Sequence, residues 1–300
     1  MSSVCYVCHQ GKMTFPGLAK MALQSQNRAM NHAESGSPRN LSMLLSLWGV
    51  DVAVATLCWG MLVAEHLRIT MLTVGPLLVL VSAVWLAVML RRLVASARGE
   101  QVTGEAAYYR SHVVPLLPLW VAVLCATLWM LFFRVGQSLL YFGMLPVCFL
   151  GLGMFPILGR LRVYVAWCCA AAFAFSCAAP AYYYSFSYTP FHMIDSAPLW
   201  LMSAVFGLFF AERWSMGRAE GIPVVLQVLC HLVLFVCCVY WAVREPAYMR
   251  GFYVSLSMAV AALHVLCRLR QCVAEEVWSA LGWSLMALPA LLGLLVGFGF

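Results

Sequence analysis

Long apolar runs closed by short charged stretches fill the chain from Leu41 to Phe300, and their lengths predict helices. Nine runs can be drawn: 41–64, 69–90, 113–133, 138–158, 163–184, 197–211, 222–243, 251–267 and 277–297. A hydrocarbon layer about 30 Å thick is crossed by roughly 20 helical residues, and a helix satisfies its own backbone hydrogen bonds there. The predicted fold class is therefore all-α, a polytopic membrane helix bundle of about nine transmembrane helices. Residues 1–40 form a polar N-terminal segment ahead of this transmembrane domain, 41–300. The sixth run has only 15 residues and the eighth 17, so length alone would also allow re-entrant or surface segments.

Charge decides between these options. With all nine runs crossing, one side receives Lys12, Lys20, Arg28, Arg39, Arg91, Arg92, Arg98, Arg110, Arg160, Arg162, Arg213, Arg218, Arg268 and Arg270, and the other only Arg68, Arg134, Arg244 and Arg250. Removing the sixth crossing weakens this 14:4 split to 12:6. The positive-inside rule prefers the first partition. The N-terminus is accordingly expected inside and the C-terminus outside, in a cell membrane, with a bacterial inner membrane favoured.

Composition agrees with the pattern. At 64% hydrophobic, 10% charged and a mean hydropathy of +0.90, the chain is too apolar for a water-soluble domain. The net charge of +7 does not argue for nucleic acid, because the excess lies in short loops whose charge insertion already explains. The 91–112 stretch reads as the longest inside loop and mixes in Glu100 and Glu105, a poor polybasic patch. The expected partner is the lipid bilayer; no nucleic acid is expected, and the oligomeric state is left open.

The N-terminal segment lacks the basic, apolar and small-residue order of a signal peptide. Glu34 to Asn40 reads as a linker, Pro16 could open a short surface helix, and 41–64 could serve as signal-anchor; Met13, Met21, Met30 and Met43 are alternative starts. Cys5, Cys8 and His9 have the spacing of a c-type haem attachment site. Haem attachment needs the oxidising face, and the predicted topology puts these residues inside. A zinc reading finds only His32 as a fourth ligand, at an unusual spacing. No cofactor and no metal are therefore expected. Ten of 13 cysteines fall within the runs and none on an outer loop, which reads as packing rather than a disulfide framework.

Buried ionisable groups are the better guide to function, since each costs several kcal/mol in hydrocarbon and is retained beside a partner or water. Asp51 in the first run and His231 in the seventh lie about nine to ten residues from the inside end, which at 1.5 Å per residue is roughly 14 Å deep. At one depth they could share a proton, so they are the candidate substrate or proton pathway. His264, Glu65 and Glu212 lie within about a turn of an interface and are expected to snorkel. In the fourth run Gly143, Pro146, Gly151, Gly153 and Pro156 suit either a broken transporter helix or close packing, with packing preferred. Tyr182, Tyr183, Tyr184, Phe186, Tyr188 and Phe191 suit an aromatic belt.

No stretch carries catalytic residues such as H-E-x-x-H or paired aspartate-rich motifs. The size invites comparison with ten-helix transporters made of two five-helix halves, but nine runs are counted and no duplicated segment is found. The expected function is that of a small-molecule transporter or permease with a small-molecule substrate. The alternative is a membrane scaffold or assembly subunit without a substrate. A membrane-embedded enzyme comes third.

Overall fold

Apolar periodicity resolves into helix throughout the described residues, which hold eight α-helices and no strand. The computed structural model describes residues 47–69, 74–98, 104–135, 162–184, 196–215, 223–269 and 275–297. The chain divides into two units, Met1–Ser37 and Pro38–Phe300, and every described residue belongs to the second. The helices are α1 (Val50–His66), α2 (Val74–Arg98), α3 (Gly104–Met130, followed by a π turn, Leu131–Val135), α4 (Arg162–Tyr184), α5 (Ala197–Ser215), α6 (Val224–Arg244), α7 (Ala247–Leu269) and α8 (Glu275–Gly297). Within them, Val74–Val94, Ser111–Phe133, Tyr164–Ala181, Val224–Arg244 and Met249–Leu269 are five stretches long and apolar enough to cross a bilayer. These helices point to a membrane-embedded protein. The apolar parts of α5 and α8, Ala197–Glu212 and Leu281–Leu295, are shorter.

Several boundaries differ from the sequence reading. The first run is interrupted: Leu47 is helical, Trp48 and Gly49 form a turn, and α1 starts at Val50. The supposed loop at 91–112 is mostly helix, because α2 continues to Arg98 and α3 begins at Gly104. Charged residues mark where an apolar run stops, but arginine and alanine are good helix formers and need not end a helix where hydrocarbon ends. α7 has 23 residues and extends beyond both ends of the eighth run. The fourth run, residues 5–9 with their haem-like spacing, and residues 185–191 of the aromatic loop lie outside the described residues.

Packing centres on α1, α4, α5 and α8. α4 and α5 run antiparallel in close contact because Gly207 offers no side chain: a Cβ there would lie 2.5 Å from the Trp167 ring. Around them Phe173, Phe206, Phe209, Phe210 and Trp283 form a buried aromatic cluster, joined by Trp59 of α1, whose ring stands edge-on to Phe206 at 5.5 Å. Trp59 must also place its N–H in an apolar interior. It donates to the Met286 carbonyl of α8 at 2.8 Å, three residues before Pro289, where the missing amide and ring clash loosen the turn. α2 joins α3 in the same manner, with Trp120 Nε1 donating to the Leu86 carbonyl at 2.9 Å.

These contacts also sort the helix ends. Leu47, just before α1, meets Arg92 late in α2 and Tyr109 early in α3. Arg91 acts electrostatically on Cys169, so α4 begins at that same end, and Gly207 against Trp167 brings the C-terminus of α5 there. At the other end of α1, His66 lies on Phe252 and Tyr253, at the start of α7. The helix termini bearing Arg91, Arg92, Arg110, Arg162, Arg213 and Arg268 thus share one end of the bundle. Those bearing Arg68, Arg134, Arg244 and Arg250 share the other.

Candidate functional site

α6 is the least covered helix of the bundle. Its side chains at Val225, Leu229, Leu232, Val236 and Val243 are exposed, and the buried ones are His231, Cys238 and Ala242, a single stripe against α7. A histidine on that stripe is costly unless its nitrogens are answered. His231 is 3% exposed. Its Nδ1 lies 3.4 Å from Nδ1 of His264 on α7, with the ring centroids 5.4 Å apart and the planes near perpendicular. One of these two nitrogens carries the proton and the other accepts, so the tautomers of the two rings are tied together. His231 Nε2 is buried with no hydrogen-bond partner among the described residues, an arrangement costing about 1 to 3 kcal/mol.

Beside the pair lies a cleft of about 120 Å³, lined by Val224, Gln227 and Val228 of α6 and by His264, Cys267 and Arg268 of α7. It sits at the arginine-bearing end, where Val224 and Arg268 are exposed. The two rings therefore join a closed interior to a polar recess, with His264 in both. Two neutral imidazoles in contact can share one added proton, and a second would meet like charge.

Asp51 is placed differently from expectation. Gly49 adopts φ +68°, a left-handed conformation that glycine takes without the Cβ penalty, and Asp51 falls in the first turn that follows. Its Oδ1 accepts the Val52 N–H at 2.9 Å, and a carboxylate here meets the positive end of the helix dipole. The break frees carbonyls, which side chains of α2 and α3 answer. Trp85 Nε1 donates to Trp48 O at 2.7 Å, and Arg92 Nη1 donates to Leu47 O at 3.1 Å. The Tyr109 hydroxyl also donates to Leu47 O and accepts from Arg92 at 3.2 Å. α1 packs on α2, α4, α7 and α8, whereas α6 packs on α5 and α7. The structure brings His231 to His264 and does not bring it to Asp51.

Other expectations also shift. His264, expected to snorkel at an interface, is instead set against His231, because the turn at Glu245 and Pro246 folds α6 and α7 into an antiparallel hairpin. That short turn was the signal available in the sequence. Glu212 is 2% exposed rather than reaching for the surface. At the opposite end, just past the first predicted run, burial pushes His66 down to about 4, while a hydrogen bond to the Met249 backbone acts in the other sense. Burial also holds the half-buried Glu65 above the ordinary carboxylate range. Adjacent cysteines face different ways, Cys168 exposed and Cys169 buried. Among the described residues no group of three or more His, Cys, Asp and Glu could hold a metal ion. No family model, curated protein or solved structure matches this chain.

Proposed function

We propose that this chain is a multi-pass transporter or permease for a small molecule, in which His231 and His264 handle a proton exchanged through the α6–α7 cleft. The observation that carries the reading is the contact of the two rings next to a polar recess, 3.4 Å between nitrogens with one ring almost wholly buried. Nε2 of the buried ring finds no partner among the described residues, as is also true of Nδ1 of His66; what sets His231 apart is its contact with a second imidazole beside a recess. Ionisable groups inside apolar helices are retained chiefly where protons, ions or substrates pass. In this reading nine helices cross, and the arginine-bearing end, which includes the cleft, faces the cytoplasm of a cell membrane by the positive-inside rule. Asp51 contributes mainly to the start of α1.

The alternative, a membrane scaffold or assembly subunit, draws support from the broad apolar exposure of α3 and α6, which offer surface to lipid or to another membrane helix. Reconstitution into liposomes under an imposed pH gradient separates the two. The transporter reading expects proton flux above that of empty liposomes, reduced at least about tenfold in His231→Gln and His264→Gln and less in Asp51→Asn, at equal incorporation. No flux, or equal flux in wild type and both histidine variants, overturns the proton-handling reading.

A further inference from the structure

We propose that the α6–α7 cleft binds a phosphate-type oxyanion, held by Arg268, Gln227 and His264. The inference names a ligand for the recess used in the proposed function, and rests on that reading only for their shared location. Three residues that carry N–H donors line the recess from two helices, and none of the six lining residues is a carboxylate. Arg268 and His264 stand one helical turn apart on α7, with Gln227 across the seam on α6. Arg268 lies in the last turn of its helix and makes no hydrogen bond or ion pair among the described residues. Its planar fork of N–H donors suits phosphate oxygens.

His231 supplies the second part of the argument. If its Nδ1–H donates to His264 Nδ1, the remaining hydrogen of a neutral His264 must sit on Nε2, where it becomes a donor for a ligand in the cleft. The buried ring thereby fixes a donor at a ligand-binding position, as a carbonyl or carboxylate does behind many ligand histidines. A carboxylate ligand presents two oxygens, whereas a tetrahedral phosphate presents one to each donor group. The cleft, about 120 Å³, is far larger than one water and below the roughly 150 Å³ of a benzene-binding cavity, so it admits a head of this size. Its apolar walls, Val224 and Val228, continue into the exposed valine and leucine face of α6. That continuity would suit a phospholipid head group with its chains along α6, and a free phosphate ester would use the same donors.

Cys267 lines the cleft and reports on its occupancy. The full-length protein is alkylated with a small thiol reagent in neutral detergent, with inorganic phosphate or with acetate, and in nanodiscs of phosphatidylcholine alone or with phosphatidic acid. Peptide mass spectrometry reads the rate at Cys267. Phosphate or phosphatidic acid is expected to slow alkylation at least about fivefold in wild type, and not in Arg268→Gln or Gln227→Leu. Protection by inorganic phosphate identifies a soluble ligand; protection by phosphatidic acid alone identifies a lipid. No protection by either, equal protection in both variants, or equal protection by acetate overturns the proposal. Cys168, exposed on α4, controls for general changes in reactivity and fold. Because no gradient is imposed, failure here is distinct from failure of proton transport.

Discussion

Two polar places lie toward the same end of this bundle, and they are built in opposite ways. At the break before α1, carbonyls freed by the left-handed Gly49 are met by Trp85, Arg92 and Tyr109 from two neighbouring helices. At the α6–α7 seam a buried imidazole keeps Nε2 without a partner among the described residues and lies against a ring that lines a cleft. The first arrangement lowers the free energy of the fold by answering polar groups that hydrocarbon would penalise. The second raises it, and a fold tolerates such a cost where the group has other work. A break in an apolar helix therefore does not by itself mark a binding site; what matters is whether its polar groups have been answered from within.

The sharpest way to break this comparison is to remove the arginine. Arg92 is 9% exposed, and its side chain reaches both the Leu47 carbonyl and the Tyr109 hydroxyl. Arg92→Leu deprives both oxygens of a charged donor, and we expect a loss of about 2 to 4 kcal/mol in reversible unfolding from mixed micelles. A loss under about 1 kcal/mol would mean that water already serves that region, and the contrast between the two places would fail.

His66 offers a second test, at the opposite end of α1, where a buried histidine also keeps one nitrogen, Nδ1, without a partner among the described residues but meets aromatic rings rather than a second imidazole and a cleft. Its folded value lies below the ordinary 6.5, at about 4, so the neutral ring is favoured by folding. The unfolded chain takes up this proton as pH falls through 6.5 and the folded chain does not. The contribution of neutral His66 is therefore fully present above pH 6.5 and is lost progressively down to about pH 4. We expect wild type to lose on the order of 2 kcal/mol more than His66→Phe across that window. Phenylalanine keeps the ring contacts with Phe252 and Tyr253. Comparing the two proteins also cancels Glu65, which burial raises above the ordinary carboxylate range and which both proteins share. Identical pH profiles would show that His66 stays hydrated.

A smaller effect is expected at Tyr109→Phe. It removes one of two donors to Leu47 O and leaves Arg92 in place, so thermal and denaturant unfolding should report about 1 kcal/mol. Comparison with Arg92→Leu then tells whether the two donors act together, because coupled partners give losses that do not add.

Helix positions were largely legible in the sequence, since an apolar run of the right length has few alternatives in a bilayer. Seven of the nine runs contain a described helix with no internal break, the first is split at Gly49, and the fourth lies outside the described residues. Helix ends were less legible. Arg92 closed a run on charge, yet it is buried where a turn in another helix supplies acceptors, and nothing local to Arg92 announces that turn. The candidate site was half legible. His231 stands out because an ionisable group in mid-run is expensive, and only equal depth along the helices links Asp51 to it. Depth fixes position along one axis only; which helices touch is set by packing, and there the connected hairpin neighbour, His264, has the advantage over a distant helix.

The smallest stability change should come from the residue at the centre of the proposed site. His231→Leu removes a buried nitrogen without a described partner, replaces a ring by an apolar side chain, and leaves His264 beside a cleft where water can take over its Nδ1. Burying polar atoms without partners costs more than burying apolar ones, so this variant should be as stable as wild type or more stable by up to about 1 kcal/mol. Proton flux in liposomes should nonetheless fall, since the remaining histidine has no second ring with which to share the proton. Stability and flux would then move in opposite directions at α6, while Arg92→Leu should lower stability and leave the flux per folded molecule near that of wild type. If His231→Leu instead unfolds the bundle as Arg92→Leu does, His231 belongs with the answered polar groups, and the α6–α7 seam is a structural contact like the break before α1.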